Sequence, residues 1–253
     1  MPKVSVRIQR LAPETGQPAQ FDRYEIEMAE QASILDALFA LQRGPVPDLA
    51  FRFSCRVGMC GSCAMVVNGR ERLTCSTLIK DVSQDLKIEP LRNLPVVRDL
   101  AVDLAPFFGA YKKTMPHFVP REDLDPKDFY RIPHDSKEWK ALNHQPQCID
   151  CAACYSSCTV VTLNPRYVGP MALNRALGLV ADPRDGRRQE RLDVVSGEAG
   201  SFRCHTLGNC KDVCPRSISP TQSIERLKRL AVVSQFWKIV GKVFGRKETT
   251  VAS

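Results

Sequence analysis

Residues 148–158 read Cys-Ile-Asp-Cys-Ala-Ala-Cys-Tyr-Ser-Ser-Cys, and the cysteine spacing of this stretch decides the fold of the second half of the chain. Short loops between cysteines allow several thiolates to bind one iron–sulfur core. All 11 cysteines lie in groups of this kind: Cys55, Cys60, Cys63 and Cys75; Cys148, Cys151, Cys154 and Cys158; and Cys204, Cys210 and Cys214. The sequence therefore predicts iron–sulfur clusters and electron transfer.

Three other uses of clustered cysteines fit the sequence less well. Disulfides need an oxidising compartment, and the start of the chain, MPKVSVRIQR, has no apolar segment typical of a secretion signal. A zinc ribbon uses two separated Cys-x2-Cys pairs, whereas residues 148–158 hold four cysteines in one run. Unligated buried thiols are usually surrounded by apolar residues, not by charges and glycines. A zinc-stabilised interaction module remains the alternative outside electron transfer.

The length and charge of the chain limit its architecture and partners. Its 253 residues suffice for two modest domains, and its formal net charge of +8 would by itself allow an anionic partner. Three thiolate-ligated clusters carry about two negative charges each, which lowers the net charge to about +2. We therefore expect no nucleic-acid partner. No run of about 18 uncharged apolar residues occurs, so no membrane span is predicted.

The first segment has the pattern of a β-grasp domain. Residues 4–8 and residues 21–26 alternate between apolar and polar side chains, which predicts two strands. Ser33 is a suitable N-cap for a helix that ends before Gly44. Two strands and a helix followed by a cysteine-rich loop are typical of plant-type ferredoxins.

The loop and hairpin after this helix predict a [2Fe–2S] site. Residues 55–63 have the Cys-x4-Cys-x2-Cys spacing of plant-type clusters. Asn68-Gly69 is the preferred two-residue hairpin turn, and pairing across it brings Cys75 almost opposite Cys63. The predicted ligands are Cys55, Cys60, Cys63 and Cys75.

The later cysteines predict two further clusters. Residues 148–158 have the bacterial ferredoxin spacing, in which the fourth cysteine binds the other cluster of a pair. A matching run follows at residues 204–215, but Leu207 stands where its second cysteine belongs. Crosswise sharing assigns a [4Fe–4S] cluster to Cys148, Cys151, Cys154 and Cys214, and leaves Cys158, Cys204 and Cys210 for the last site. Three thiolates favour [3Fe–4S], and a [4Fe–4S] cluster with a non-cysteine fourth ligand is the alternative.

These sites predict an α+β chain built from two ferredoxin-like domains. An N-terminal β-grasp plant-type [2Fe–2S] domain is expected at residues 1–105, a connector at 106–140, and a mainly α-helical bacterial-type two-cluster domain at 141–253. The connector mixes prolines, aromatics and charges without a sustained period. Three histidines in or beside it are assigned no role: His117, His134 and His144.

The order [2Fe–2S], [4Fe–4S], [3Fe–4S] closely resembles the iron–sulfur subunits of succinate dehydrogenase and fumarate reductase, the respiratory complex II family. Residues 92–100, 163–170 and 182–185 also look like family sequence, so the resemblance covers nearly the whole chain. It implies a flavoprotein subunit that reacts with succinate at a covalently bound FAD. It also implies that electrons pass through the three clusters in sequence order to a quinone held partly by membrane anchor subunits.

The same resemblance implies a location and leaves other properties open. The expected location is peripheral, at the cytoplasmic face of the bacterial inner membrane. Anchor subunits, with or without haem b, are expected to hold the chain there. The direction of catalysis stays open. A soluble fumarate or disulfide reductase subunit is the rival within electron transfer, but such relatives carry further cysteines, and none follows Pro215 here.

Three residues are candidate contacts near the quinone and the third cluster: Thr159, His205 and Leu207. By the resemblance, His205 matches the family's histidine after the first cysteine of the last run. It serves either the quinone or, alternatively, the cluster or a haem propionate. Thr159 stands where ubiquinone-using members have proline, and residues 163–165 are closer to fumarate reductases, so menaquinone is favoured over ubiquinone.

The C-terminal stretch at residues 219–244 has two interpretations. Its apolar residues, which include Trp237 and Phe244, are interleaved with Arg226, Lys228, Arg229, Lys238 and Lys242. Such a basic amphipathic helix is typical of a membrane interface, but it is also expected of a helix that covers the core of the second domain.

Overall fold

The N-terminal half forms a five-stranded sheet in the computed structural model, which describes residues 2–243 except 30, 126, 128 and 129. The strands are β1 (Lys3–Arg10), β2 (Gln20–Glu27), β3 (Ala64–Val67), β4 (Arg70–Leu73) and β5 (Asp85–Glu89). Their order is β2-β1-β5-β3-β4, in which β1 and β5 are parallel and the other neighbours antiparallel. Helix α1 (Ile34–Arg43) packs in the same core. This arrangement confirms the predicted β-grasp fold.

Helix α1 begins at the predicted cap. The Ser33 hydroxyl accepts a hydrogen bond from the Asp36 N–H at 3.2 Å, and the Asp36 carboxylate accepts one from the Ser33 N–H at 2.9 Å. This reciprocal capping box satisfies two N–H groups that would otherwise lack partners, and such a cap contributes about 1 kcal/mol. Ile34, Leu38 and Leu41 of the helix are fully buried against the sheet.

The predicted hairpin joins β3 to β4. Val67 pairs with Arg70, while Asn68 and Gly69 have φ values of 48° and 82°, so both turn residues are left-handed as a type I′ turn requires. Side chains alternate between the two faces of a sheet. Met65 and Val67 therefore face α1, while Ala64 and Leu73 pack in a core shared with the second half of the chain.

The second half of the chain is helical. A short hairpin of β6 (Val96–Arg98) and β7 (Ala101–Val102) leads into α2 (Ala105–Lys112) and α3 (Lys137–Leu142). The remaining helices are α4 (Ala153–Ser156), α5 (Thr159–Leu163), α6 (Pro170–Ala181), α7 (Arg188–Val195), α8 (Asn209–Asp212) and α9 (Pro220–Val243). Helix α6 is buried along almost its whole length and packs against α7 and α9. A helix that is apolar on all sides forms the centre of a domain.

A buried ion pair attaches the connector to this helical domain. Arg191 of α7 and Asp185 have no exposed side-chain surface, and Arg191 Nη2 lies 2.8 Å from Asp185 Oδ2. Arg191 also donates to the carbonyl oxygens of Met115 and His117, and Asp185 accepts from the Val119 N–H at 3.2 Å. The pair therefore replaces the water that these backbone groups would otherwise need. The predicted domain limits at residues 105 and 140 stay a prediction.

Candidate iron–sulfur sites

The loop at residues 55–63 directs backbone N–H groups at sulfur. Cys55 Sγ accepts hydrogen bonds from the N–H groups of Val57, Met59 and Cys60 at 3.2 to 3.5 Å. Gly58 donates to Cys75 Sγ at 3.3 Å. Left-handed φ angles at Arg56, Gly58 and Gly61 turn the chain around these sulfurs. Donors of this kind stabilise thiolate charge and help to set the potential of a cluster.

The thiols of this first group influence one another. Burial raises the pKa of Cys75 to about 11, and the neighbouring Cys63 and Cys55 add to the effect. In contrast, a hydrogen bond from the Ser62 side chain, together with one from the Cys55 N–H, lowers the pKa of Cys60 to about 6. The structure therefore brings together the four cysteines that the sequence assigned to one site: Cys55, Cys60, Cys63 and Cys75.

The second group joins the two distant cysteine runs. One cavity is lined by four thiols, Cys148, Cys151, Cys154 and Cys214. Burial, followed by the charges of neighbouring thiolates, raises the pKa of Cys151 to about 11 and that of Cys154 well above its usual value. Among the neighbouring thiolates, Cys214 contributes most to the raised pKa of Cys151, although the two residues are far apart in sequence. This grouping agrees with crosswise sharing.

The third group consists of Cys158, Cys204 and Cys210. Burial is the main cause of the raised pKa of Cys210, and the thiolates of Cys158 and Cys204 act in the same direction. The charge of Cys210 also raises the pKa of Cys154, so the second and third groups are adjacent. Among the described residues, no three histidine, cysteine or acidic side chains are arranged to hold one metal ion. The ligand assignments themselves stay predictions.

The buried hydroxyl of Tyr167 bears on whether the third cysteine group is suited to hold an iron–sulfur cluster. Tyr167 is 1% exposed, and its Oη atom has no hydrogen-bond partner in the described protein. Burial raises the pKa of Tyr167, and the next contributions come from the three thiols of the third group, Cys204, Cys158 and Cys210. A buried donor without a partner is unfavourable, whereas sulfur in a cluster accepts hydrogen bonds. The soft thiol donors and this free hydroxyl both fit an iron–sulfur group.

The three predicted contacts beside the third group are all exposed. Thr159 begins α5 directly after Cys158, and His205 directly follows Cys204. Leu207 is 60% exposed. Leu163 and Phe202, which the sequence did not single out, add exposed apolar surface in the segments that carry these cysteines.

No sequence pattern indicated the polar contacts that join the two domains. The Ser156 hydroxyl, on the segment between Cys154 and Cys158, donates to the buried Glu71 carboxylate of β4 at 2.8 Å. The Asn93 side-chain amide donates to the carbonyl oxygens of Tyr155, Ser156 and Cys158 at 3.0 to 3.4 Å. These bonds hold the first domain against the cysteine run of the second domain.

The two ligand loops pack tightly against each other at Gly61. A Cβ atom there would lie 2.6 Å from Cys151 Cβ and 2.9 Å from the Ile149 carbonyl oxygen. Only glycine permits such close backbone packing at this φ of +74°. The first and second cysteine groups are therefore neighbours in space.

Helix α9 changes character along its length. Ile224, Leu227 and Ala231 are buried, whereas the later apolar residues Val232, Val233, Phe236, Trp237 and Ile239 are each more than half exposed. The opposite side is fixed to α7, where Lys238 Nζ lies 2.7 Å from the Asp193 carboxylate. Phe244 lies outside the described residues. Within the described range, no helix contains a stretch apolar and long enough to cross a bilayer.

The fold and the three cysteine groups define an iron–sulfur electron-transfer protein with two ferredoxin-like domains. The family described as a 2Fe-2S iron-sulfur cluster binding domain matches residues 5–109, and the 4Fe-4S dicluster domain matches residues 145–218. A solved structure, the Mycobacterium smegmatis Sdh1 complex in the apo form, has a TM-score of 0.81 and 28% identity, covering 92% of this chain and 97% of the matched chain.

Two relatives identify the family. The fumarate reductase iron-sulfur subunit of Haemophilus influenzae is 34% identical over 241 residues, 90% of this chain and 92% of that protein. The succinate dehydrogenase iron-sulfur subunit of Coxiella burnetii is 34% identical over 224 residues, 87% of this chain and 94% of that protein. This chain belongs to the family of iron–sulfur subunits of succinate dehydrogenase and fumarate reductase, whose role is electron transfer. The resemblance seen in the sequence is confirmed, and the direction of the reaction stays open.

Proposed function

We propose that this chain connects the FAD of a flavoprotein subunit, which reacts with succinate or fumarate, to a membrane quinone. When bound, one [2Fe–2S], one [4Fe–4S] and one [3Fe–4S] cluster supply the one-electron chemistry. The observation that carries this proposal is the proximity of the three thiols in the third group. The charge of Cys204 raises the pKa of Cys158, and the charges of Cys158 and Cys204 raise the pKa of Cys210. Leu207, at the position of the missing ligand, is exposed and offers no donor atom.

The substitution Leu207→Cys tests the third cluster. A restored thiolate is expected to convert the site toward [4Fe–4S] and to reduce the three-iron EPR signal of the oxidised protein. Leu163→Cys is the matched control, because it adds a thiol at an exposed leucine outside the cysteine run and should leave the signal unchanged. An unchanged three-iron signal in Leu207→Cys would count against the assignment.

Exposed apolar side chains support a flavoprotein contact beside the first group. Val57 and Met59, both in the loop that surrounds Cys55, are 71% and 61% exposed. Isolated exposed apolar residues are common, but here they cover the loop through which electrons would pass to or from the flavin. The double substitution Val57→Asp and Met59→Asp should abolish co-purification with the flavoprotein. Phe21→Asp on β2 is the control that should retain it, and equal loss in both would refute this docking surface.

The exposed half of α9 supports a peripheral position at the cytoplasmic face of the inner membrane. There the chain would contact anchor subunits, with or without haem b. Phe236 and Trp237 present apolar area while Lys238 holds the helix against α7. Aromatic and basic residues favour such interfaces. Phe236→Ser with Trp237→Ser should move the complex from membrane to soluble fractions, whereas Phe21→Ser should not. Retention of both variants on the membrane would contradict this role.

The exposed residues after two ligands support a quinone site at the third group. Thr159, His205 and Leu207 lie beside cysteines of that group and are open to an anchor-bound quinone. We favour menaquinone. His205→Gln should lower kcat/KM for the quinone while electron transfer from succinate to a soluble acceptor stays unchanged. Assays in both directions with both quinone types determine quinone preference, and equal loss with every acceptor would assign His205 to the cluster or a haem.

A further inference from the structure

Tyr167 is a buried side chain whose hydroxyl oxygen forms no hydrogen bond with the residues that the structure describes. The residue lies between α5 and α6, where its N–H donates to the Asn164 carbonyl oxygen at 3.0 Å. The next residue, Val168, donates to the Ala199 carbonyl oxygen at 3.0 Å. These bonds fix the backbone, and the ring is enclosed in the core of the helical domain.

The surroundings of the Tyr167 hydroxyl indicate what it serves. The ring is 1% exposed, and Oη has no hydrogen-bond partner among the described residues. After burial, the negative charges of Cys204, Cys158 and Cys210 raise the pKa of Tyr167, and Cys204 is close enough to contribute as a hydrogen-bonding side chain, although no bond of normal geometry forms. An O–H group buried without an acceptor is unfavourable, so an acceptor is expected in the space that these three sulfurs share.

We propose that the Tyr167 hydroxyl donates a hydrogen bond to a sulfur atom of the cluster held by Cys158, Cys204 and Cys210. This inference rests on the proposed function, because it requires a cluster at that site. The donor stabilises the more negative, reduced state and therefore raises the reduction potential of the cluster. The proton stays on Oη in both redox states, and no covalent bond forms or breaks. Tyr167 thus makes the last centre a better electron acceptor.

The test uses the assembled membrane complex and the variant Tyr167→Phe, which keeps the ring and removes the hydroxyl. A redox titration followed by EPR should show a lower midpoint potential for the third centre. A loss of one hydrogen bond corresponds to a change of up to about tenfold in the one-electron equilibrium, or about 59 mV. Tyr24→Phe is the control, because it removes a hydroxyl that donates to Asp22 on the far edge of the sheet.

A second measurement needs only the fraction of the variant that assembles. Pulsed EPR in heavy water should detect one exchangeable proton fewer at the third centre in Tyr167→Phe than in the unsubstituted complex, where the Thr206 N–H beside Cys204 Sγ and the Thr221 hydroxyl beside Cys210 Sγ also exchange. An unchanged midpoint potential, or the same set of exchangeable protons in both proteins, overturns the role of Tyr167. The EPR spectrum of the unsubstituted complex reports the cluster type separately. Failure of the cluster assignment is therefore distinct from failure of the Tyr167 proposal.

Discussion

Gly61→Ala is the substitution that most directly perturbs the contact between the first two cysteine groups. The added Cβ would lie 2.6 Å from Cys151 Cβ and 2.8 Å from Cys151 Cα. Carbon atoms in contact are normally about 3.5 to 4.0 Å apart, so the two loops must separate by about 1 Å. Gly69 provides a matched control, because its φ of +82° is similar and nothing lies within 4 Å of its Cβ position.

The difference between the two variants isolates the clash from the backbone strain. Placing alanine in a left-handed conformation costs roughly 1 to 2 kcal/mol, which applies to both positions. Overpacking adds about 1 to 3 kcal/mol at Gly61 alone. We therefore expect Gly69→Ala to lower the free energy of unfolding by about 1 to 2 kcal/mol and Gly61→Ala by about 2 to 5 kcal/mol.

Two assays follow this perturbation. Anaerobic urea unfolding gives the free energies, and EPR of the reduced complex gives the magnetic coupling between the first two centres, which should weaken only in Gly61→Ala. Equal destabilisation by the two substitutions, together with unchanged coupling, would refute the close approach of the ligand loops at Gly61.

Three further predictions concern contacts and protonation away from this position. Asp185→Asn leaves the buried Arg191 without a counter-charge and should lower the free energy of urea unfolding by about 3 to 5 kcal/mol. The control Asp85→Asn removes an exposed ion pair and should cost below about 1 kcal/mol. A loss as small as that of the control would contradict the prediction for Asp185. Ser156→Ala removes the hydroxyl that donates to the Glu71 carboxylate and should lower the free energy of unfolding by about 1 to 3 kcal/mol. A double-mutant cycle with Glu71→Gln should show coupling between the two positions, and additive effects would refute the hydrogen bond. In cluster-free protein, burial raises the pKa of Cys75 from 9.0 to about 11. The folded state then binds that proton more tightly than the unfolded state, so the contribution of Cys75 to stability is complete below about pH 9 and is lost toward pH 11. Urea unfolding should therefore show a fall in stability between these pH values that is smaller in Cys75→Ser, and equal profiles of the two proteins would contradict the burial.

The parts of the fold that depend on nearby residues could be predicted from the sequence. Alternation at residues 4–8 gave β1, and the Ser33 cap gave the start of α1, because both signals act over a few residues. Asn68-Gly69 defined its hairpin for the same reason. Crosswise grouping of the later cysteines was also accessible, since the ligand spacing of two-cluster ferredoxins encodes a long-range pairing.

The contacts between distant segments could not be predicted. The close approach of Gly61 to Cys151 depends on how the two domains pack, and no local pattern indicates it. The fold buries Arg191 against Asp185, and nothing in the local sequence distinguishes it from the other charged residues of α7. Residues 163–170, which include Tyr167, were singled out only as family sequence, and the fold shows that the Tyr167 hydroxyl is buried without a hydrogen-bond partner in the described part of the chain. Burial of single polar atoms arises from tertiary packing, which local patterns do not encode.

EPR spectroscopy of the complex during stepwise reduction tests the central claim most directly. We predict a three-iron signal in the oxidised protein that disappears first, followed on further reduction by signals from a [2Fe–2S] and a [4Fe–4S] centre. Iron and acid-labile sulfide should match one cluster of each type. An oxidised protein without a three-iron signal, or a colourless protein loaded with zinc, would contradict the assignment of these 11 cysteines.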